Sequence, residues 1–243
     1  MVNEPLRLNK CPIIESVFEM RFESQHDANV VFALIYGALK DDFMKVESLP
    51  VAELPPTIRD TDPNLKYQPA YKLRHKDNNS FLQIGAKMVG FSFMPTYTGW
   101  NDFKSFVSGY LQTIKSTGVV GRVLRIGFRV INFMDVDIFK ENRIKLNISL
   151  EGNDIPYKET SLKTVFSEGN YHSNLSIINH AQLNSTTPVR NGSVIDVDTY
   201  SVSCENFFED ITNFLDGLHS AEKHVFFRLL TDEFLDTLQP VYE

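Results

Sequence analysis

The clearest candidates for a functional site in this 243-residue sequence are two arginines that lie four residues apart. Arg125 and Arg129 lie in the apolar run 122–135, with Gly127 between them. Side chains alternate along a strand, so these three residues would share one face of a strand over this run. Guanidinium groups that leave water need carboxylates or an anionic ligand beside them.

Two glutamates supply the carboxylates that such a face requires. Glu15 and Glu19 share one face of an earlier predicted strand, Ile13 to Glu23. If the two strands are neighbours, these glutamates can pair with the two arginines and form a layer of ion pairs. The sequence favours this arrangement, and an anion pocket for a phosphate or carboxylate is the alternative.

A pair of aspartates offers a different chemistry. Asp196 and Asp198 share a strand face, and paired carboxylates can hold Mg²⁺ for phosphoryl chemistry. The spacing dictates no third ligand, so the sequence favours pairing with arginines or a solvated strand over a metal site. Tyr97 and Trp100, at the start of a predicted helix, could line an aromatic groove, although such a pair more often anchors a helix on its sheet.

Common enzyme signatures are absent from the sequence. The chain has no Gly-x-x-x-x-Gly-Lys phosphate loop, no dinucleotide fingerprint and no Gly-x-Ser-x-Gly nucleophile motif. Its six histidines have no metal-binding spacing, and its two cysteines lie far apart. We therefore expect no cofactor and no resident metal.

The elements that would position these residues form an α+β pattern. Antiparallel sheets with amphipathic helices packed on one face are expected. A division into two similar halves, 1–118 and 119–243, packed as one compact unit, is also expected. Strands are predicted at Ile144 to Leu150, Ser161 to Phe166, Asn174 to Leu183 and Val194 to Val202. Helix starts are predicted at the capping residues Asp27, Thr98, Ser203, Ser220 and Thr231.

The overall charge limits the classes of partner. A net charge of −7 argues against broad electrostatic capture of nucleic acid or of an anionic membrane. The N-terminus has no apolar signal core and no segment reaches the length of a membrane span. We expect a cytoplasmic protein.

Four segments together resemble a known group of proteins. They are Pro12-Ile13-Ile14-Glu15 leading into 18–22, Tyr97-Thr98-Gly99-Trp100 with Phe103, the segment from Arg125 to Asn132, and the segment from Leu218 to Phe226. In order and spacing these resemble a sporadically distributed family of uncharacterised bacterial proteins of about this length. The resemblance implies a bacterial, cytoplasmic protein and implies no activity.

These observations favour a non-enzymatic binding or regulatory protein. It would act on another bacterial protein through an exposed sheet face or through its Phe-rich C-terminal helices, as a homodimer. The alternative is a metal-dependent enzyme acting on phosphate-containing or nucleic-acid substrates. In that alternative Asp196 and Asp198 hold the metal, and Arg125 and Arg129 clamp phosphate.

Overall fold

Helices and strands alternate irregularly along the chain. The computed structural model describes residues 4–94, 97–154, 159–184 and 188–242. Its α-helices are α1 (Ala28–Leu39), α2 (Pro56–Thr61), α3 (Trp100–Ser116), α4 (Ile211–Leu229) and α5 (Asp232–Thr237). Short 3₁₀ helices span Pro50–Glu53 and Phe207–Glu209.

The strands fall into two groups by length. The longer strands are β2 (Ile13–Phe22), β3 (Phe43–Ser48), β4 (Tyr71–His75), β5 (Ser80–Ile84), β6 (Met88–Phe93), β7 (Val123–Met134), β10 (Ser161–Glu168), β11 (Tyr171–Leu183) and β12 (Arg190–Ser201). Two-residue strands are β1 (Arg7–Leu8), β8 (Ser149–Leu150), β9 (Asn153–Asp154) and β13 (Pro240–Val241).

The nine longer strands form one antiparallel sheet in the order β10-β11-β12-β7-β2-β6-β5-β4-β3. The short strands form two separate pairs, β1 with β13 and β8 with β9. The predicted α+β class with antiparallel sheets is therefore confirmed. Within the described ranges, no helix combines the length and the apolar character needed to cross a membrane.

The chain divides into two compact units, each made of separate segments. The first unit comprises Met1–Ile14, Arg129–Thr199 and His219–Glu243. The second comprises Glu15–Phe128 and Tyr200–Leu218. Each unit draws on residues from both sides of position 118, so these units are not the sequence halves 1–118 and 119–243.

The first unit has an aliphatic and aromatic core. Residues of β11 and β12 pack against the last turns of α4 and against α5. The buried members include Leu175, Ile177, Ile195, Val197, Phe226, Leu230 and Phe234. Thr231 caps α5, as its sequence context predicts, by accepting a hydrogen bond from the backbone N–H of Phe234.

The second unit has a Phe-rich core, and β2 shows how the sequence directs it. Alternate residues Phe18, Met20 and Phe22 are fully buried, as the strand period of two requires. After β2, Asp27 begins α1 by accepting hydrogen bonds from the backbone N–H groups of Asn29 and Val30. The predicted cap at Asp27 is confirmed.

Four predicted boundaries are wrong. The helical part of the chain does not start at Ser203: the 3₁₀ helix Phe207–Glu209 is capped by Asn206, and α4 begins only at Ile211. Helix α3 is capped by Gly99 and not by Thr98, because the chain enters the helix through φ 112°, a conformation that favours glycine. The predicted strand from Ile144 is reduced to one bridge, Ile144 with Leu230, and the pair Ser149–Leu150. No helix begins at Ser220, since α4 continues through it to Leu229.

Candidate functional site

Arg125 lies in a half-buried ion-pair cluster of the second unit. Its Nη1 donates to Oε1 of Glu19 at 2.6 Å, and Nε of Arg21 donates to the same oxygen at 2.7 Å. The Arg125 guanidinium also lies 4.4 Å from the centre of the Tyr200 ring. A Cβ atom at Gly127 would approach Nη1 of Arg125 to 3.1 Å, so glycine leaves room for this side chain.

Arg129 belongs to the first unit and pairs with Asp196 at two points. Its Nε donates to Oδ1 at 2.8 Å and its Nη2 donates to Oδ2 at 2.6 Å. This bidentate geometry is the strongest form of a carboxylate–guanidinium pair. Sequence spacing assigned Glu15 or Glu19 to this arginine, and the structure adds a partner from β12. Glu15 itself lies at a half-buried position of β2.

The proposed metal ligands have protein partners. Asp196 accepts from Arg129, and Asp198 accepts a hydrogen bond from Nδ2 of Asn174 at 3.3 Å. With Lys163 they line a shallow groove of about 480 Å³. Across the described part of the chain, no three His, Cys, Asp or Glu side chains come close enough together to hold a metal ion.

The two residues of the predicted aromatic pair, Trp100 and Tyr97, have different surroundings. Trp100 packs on Phe103 and Phe128, with ring centres 5.9 and 5.2 Å away. Its indole Nε1 donates to Oδ1 of Asp216 at 2.6 Å, and the same carboxylate pairs with Lys104. Trp100 therefore anchors the start of α3 on the core of the second unit. Tyr97 lies 6.5 Å from Phe103, measured between ring centres.

Sequence reasoning missed an exposed edge of the first unit, which lies at β10. This strand is the last in the sheet order and pairs with β11 without a break from Ser161 to Glu168. Two of its apolar side chains, Val165 and Phe166, are 58% and 47% exposed. Exposed apolar residues on a regular edge strand are unusual in proteins that remain unassociated.

A concave cleft lies beside this edge strand, on the face formed by its even-numbered residues. Leu162, Thr164 and Phe166 of β10 line it together with residues of β11 and α4. We call it the β10 cleft, and its volume is about 470 Å³. Its other apolar lining residues are Leu146, Leu175, Ala221, Val225 and Leu229.

The rim of the β10 cleft carries more positive than negative charge. Lys145 and Arg228 lie on the rim together with a single acid, Glu168. Lys145 donates to Oδ1 of Asp232 at 3.0 Å, and Asp232 is almost fully exposed. Arg228 has no carboxylate within ion-pair distance in the described ranges, and it is exposed.

Alternation of small, apolar and charged residues in the segment 161–168 was the only available sequence signal for this site. It predicts a strand with two different faces, but it does not say whether the strand lies at an edge. The lining residues come from three separate stretches of sequence. Comparison of the sequence with models of known protein families and with curated proteins finds no match.

Proposed function

We propose that this chain is a non-enzymatic binding protein that acts through protein–protein contacts. In this proposal the β10 cleft receives an apolar segment of a partner protein. The observation that carries the proposal is the cleft itself. Its volume of about 470 Å³ and its largely apolar surface resemble those of sites that hold a few apolar side chains.

The rim charges support a particular partner chemistry. Arg228 and Lys145 flank the apolar lining together with one acid, Glu168, and Lys145 is also paired with Asp232. A segment whose apolar residues are followed by Asp or Glu would place carboxylates near these cations. Rim charges of this kind add specificity and speed association more than they add affinity.

The metal-dependent enzyme has less support. Its two aspartates have Arg129 and Asn174 as hydrogen-bond partners, so a metal would have to displace contacts that already satisfy these carboxylates. This alternative stays a prediction with a simple measurement. Mg²⁺, Mn²⁺ and nucleotides should each be tested for an increase in melting temperature, which binding to the folded state would cause.

The binding proposal can be tested with linear peptides. A displayed random-peptide library is selected on the immobilised full chain, and the affinities of the selected peptides are measured in solution. Ala221→Trp fills the β10 cleft from α4. Ala33→Trp is the matched control, because Ala33 is an exposed alanine on a helix of the second unit.

We expect selected peptides to be apolar and acidic and to lose about tenfold or more in affinity to Ala221→Trp, a change of about 1.4 kcal/mol. They should bind Ala33→Trp as they bind the unmodified chain. Arg228→Glu should weaken acidic peptides about threefold to tenfold. Failure to select any peptide, or equal affinity for the Ala221→Trp variant with a normal melting curve, would overturn the proposal.

A further inference from the structure

The two ends of the nine-stranded sheet differ in how they are protected. At one end, β3 has an irregular register with β4 between Met44 and Val46, and Lys45 between them has φ 51°. A bulge and a lysine are devices that block strand pairing at an edge. At the other end, β10 is regular over eight residues.

Hydrogen bonding fixes which backbone groups of β10 point away from the sheet. The backbone N–H of Asn179 donates to the carbonyl of Thr160 at 2.9 Å. Thr160 therefore belongs to a hydrogen-bonded pair. Hydrogen-bonded and non-hydrogen-bonded pairs alternate along an antiparallel ladder, so the even-numbered residues of β10 form hydrogen bonds with β11. The N–H and C=O groups of Ser161, Lys163, Val165 and Ser167 then point outward, towards the position of a tenth strand.

The β10 sequence is complementary to itself in one register. An antiparallel pair of two β10 strands, related by a twofold axis at Thr164, places Lys163 opposite Val165 and Leu162 opposite Phe166 of the second copy. The exposed apolar residues of each strand would then contact aliphatic parts of the other.

The two neighbouring registers are less favourable. A twofold axis at Lys163 would oppose two lysines directly, and like charges in this position are destabilising. A twofold axis at Val165 would place Leu162 opposite the carboxylate of Glu168. The Thr164 register avoids both arrangements.

We propose that a second copy of this chain pairs with β10 in the Thr164 register and forms an isologous dimer. This inference goes beyond the binding of a partner protein in the β10 cleft. With the twofold axis perpendicular to the sheet, both clefts lie on the same face of a continuous sheet. The dimer would therefore present two clefts side by side to one partner.

The first experiment measures oligomeric state by sedimentation equilibrium at micromolar concentration. The unmodified chain should have twice its monomer mass of 27.8 kDa. Val165→Pro removes an outward N–H without removing a bond to β11, and it should yield a monomer. Val46→Pro is the matched control at the other edge and should leave the dimer intact. A monomeric unmodified chain overturns the inference, as does a dimer that survives Val165→Pro.

The second experiment tests the register by cross-linking. In a Cys11→Ser background, Thr164→Cys should form an intermolecular disulfide on oxidation, because opposed residues of a non-bonded pair have Cα atoms about 4.5 Å apart. Ser161→Cys should not, since the two cysteines would be roughly 20 Å apart. Cross-linking of Ser161→Cys with none at Thr164→Cys overturns the register.

The two proposals fail separately. A monomer that still loses its selected peptides on Ala221→Trp would overturn the dimer and leave the binding proposal intact. A dimer that selects no peptide would overturn the binding proposal alone. Melting curves of each variant establish that it is folded, so that loss of folding is not read as loss of association.

Discussion

Arg129 and Asp196 face each other across the neighbouring strands β7 and β12, with two hydrogen bonds of 2.8 and 2.6 Å between guanidinium and carboxylate. The arginine side chain is 47% exposed and the aspartate 17%. The pair satisfies both oxygens of a carboxylate that sequence spacing alone left open to a metal.

We expect Asp196→Asn to lower the free energy of unfolding by about 1 kcal/mol, because a charge-assisted pair at a half-exposed position is worth little more. Urea denaturation measures this change. The loss should shrink at high salt, which screens exposed charges. Equal stability of variant and parent at low salt would show that the pair contributes nothing.

The single tryptophan reports on the contact between Trp100 and Asp216. Asp216→Ala removes the acceptor of the indole N–H and the partner of Lys104, so we expect a loss of about 1–2 kcal/mol in unfolding free energy. Tryptophan emission in the native state should change as well, since the chain has one Trp. Asp216→Asn keeps an acceptor for the indole and should lose less. An Asn variant that is as unstable as the Ala variant would contradict the assigned role of this hydrogen bond.

Glu222 of α4 is buried, and burial raises its pKa from 4.5 to about 8. Lys223 lowers this pKa and Glu4 raises it, both less than burial does. The folded chain thus holds a proton that the unfolded chain releases above pH 4.5. Stability should fall by a few kcal/mol as pH rises from about 4.5 to 8 and then level off.

Glu222→Gln should remove most of this slope, because its amide does not ionise. Urea denaturation at a series of pH values measures the effect. The matched control Glu233→Gln, at an exposed position of α5, should keep the slope. A variant Glu222→Gln with the same pH dependence as the unmodified chain would show that the buried carboxyl does not govern it.

Tyr110 of α3 is the centre of a hydrogen-bond chain in the second unit. Its hydroxyl donates to Oδ2 of Asp42 at 3.1 Å and lies 3.0 Å from Nε2 of the buried His75. Burial, and then the hydrogen bond to Asp42, raise the pKa of Tyr110 to about 12. Stability should therefore decline between about pH 10 and 12, as the unfolded phenol ionises first.

Tyr110→Phe should cost about 1–2 kcal/mol at neutral pH, since it leaves Asp42 and His75 without this partner. It should also remove part of the alkaline decline measured by denaturation. Tyr36→Phe, at another tyrosine of the same unit, is a suitable control. If Tyr110→Phe has the same stability as the unmodified protein at neutral pH, the hydrogen bonds of Tyr110 do not stabilise the fold.

The position of β2 was predictable because its alternation of apolar and charged residues is visible in a short stretch of sequence. Phe18, Met20 and Phe22 alternate with charged residues, and the structure buries all three. Helix ends were less predictable, because tertiary packing overrides local capping signals. Ser220 resembles a helix start, but the helix continues through it and buries Phe226 and Phe227 in the first unit.

The candidate site was not predictable, because it depends on which strand ends the sheet. Sequence patterns place Leu162 and Phe166 on one face of a strand but contain no information about its neighbours. One partner of Arg129 illustrates the same limit. Charge alternation predicts a glutamate of β2 beside this arginine, but it does not indicate the additional carboxylate from β12, because that contact depends on the strand order, which long-range packing determines.

The bulge at Lys45 has a consequence for how large an assembly can become. Subunits in which both sheet edges can pair with another strand can assemble without limit into a filament. Subunits with only one such edge stop assembling after a single pairing. Because the irregularity between Met44 and Val46 prevents regular strand pairing at β3, assembly would stop at two chains. One lysine in a strained backbone conformation would thus separate a finite complex from an open-ended polymer.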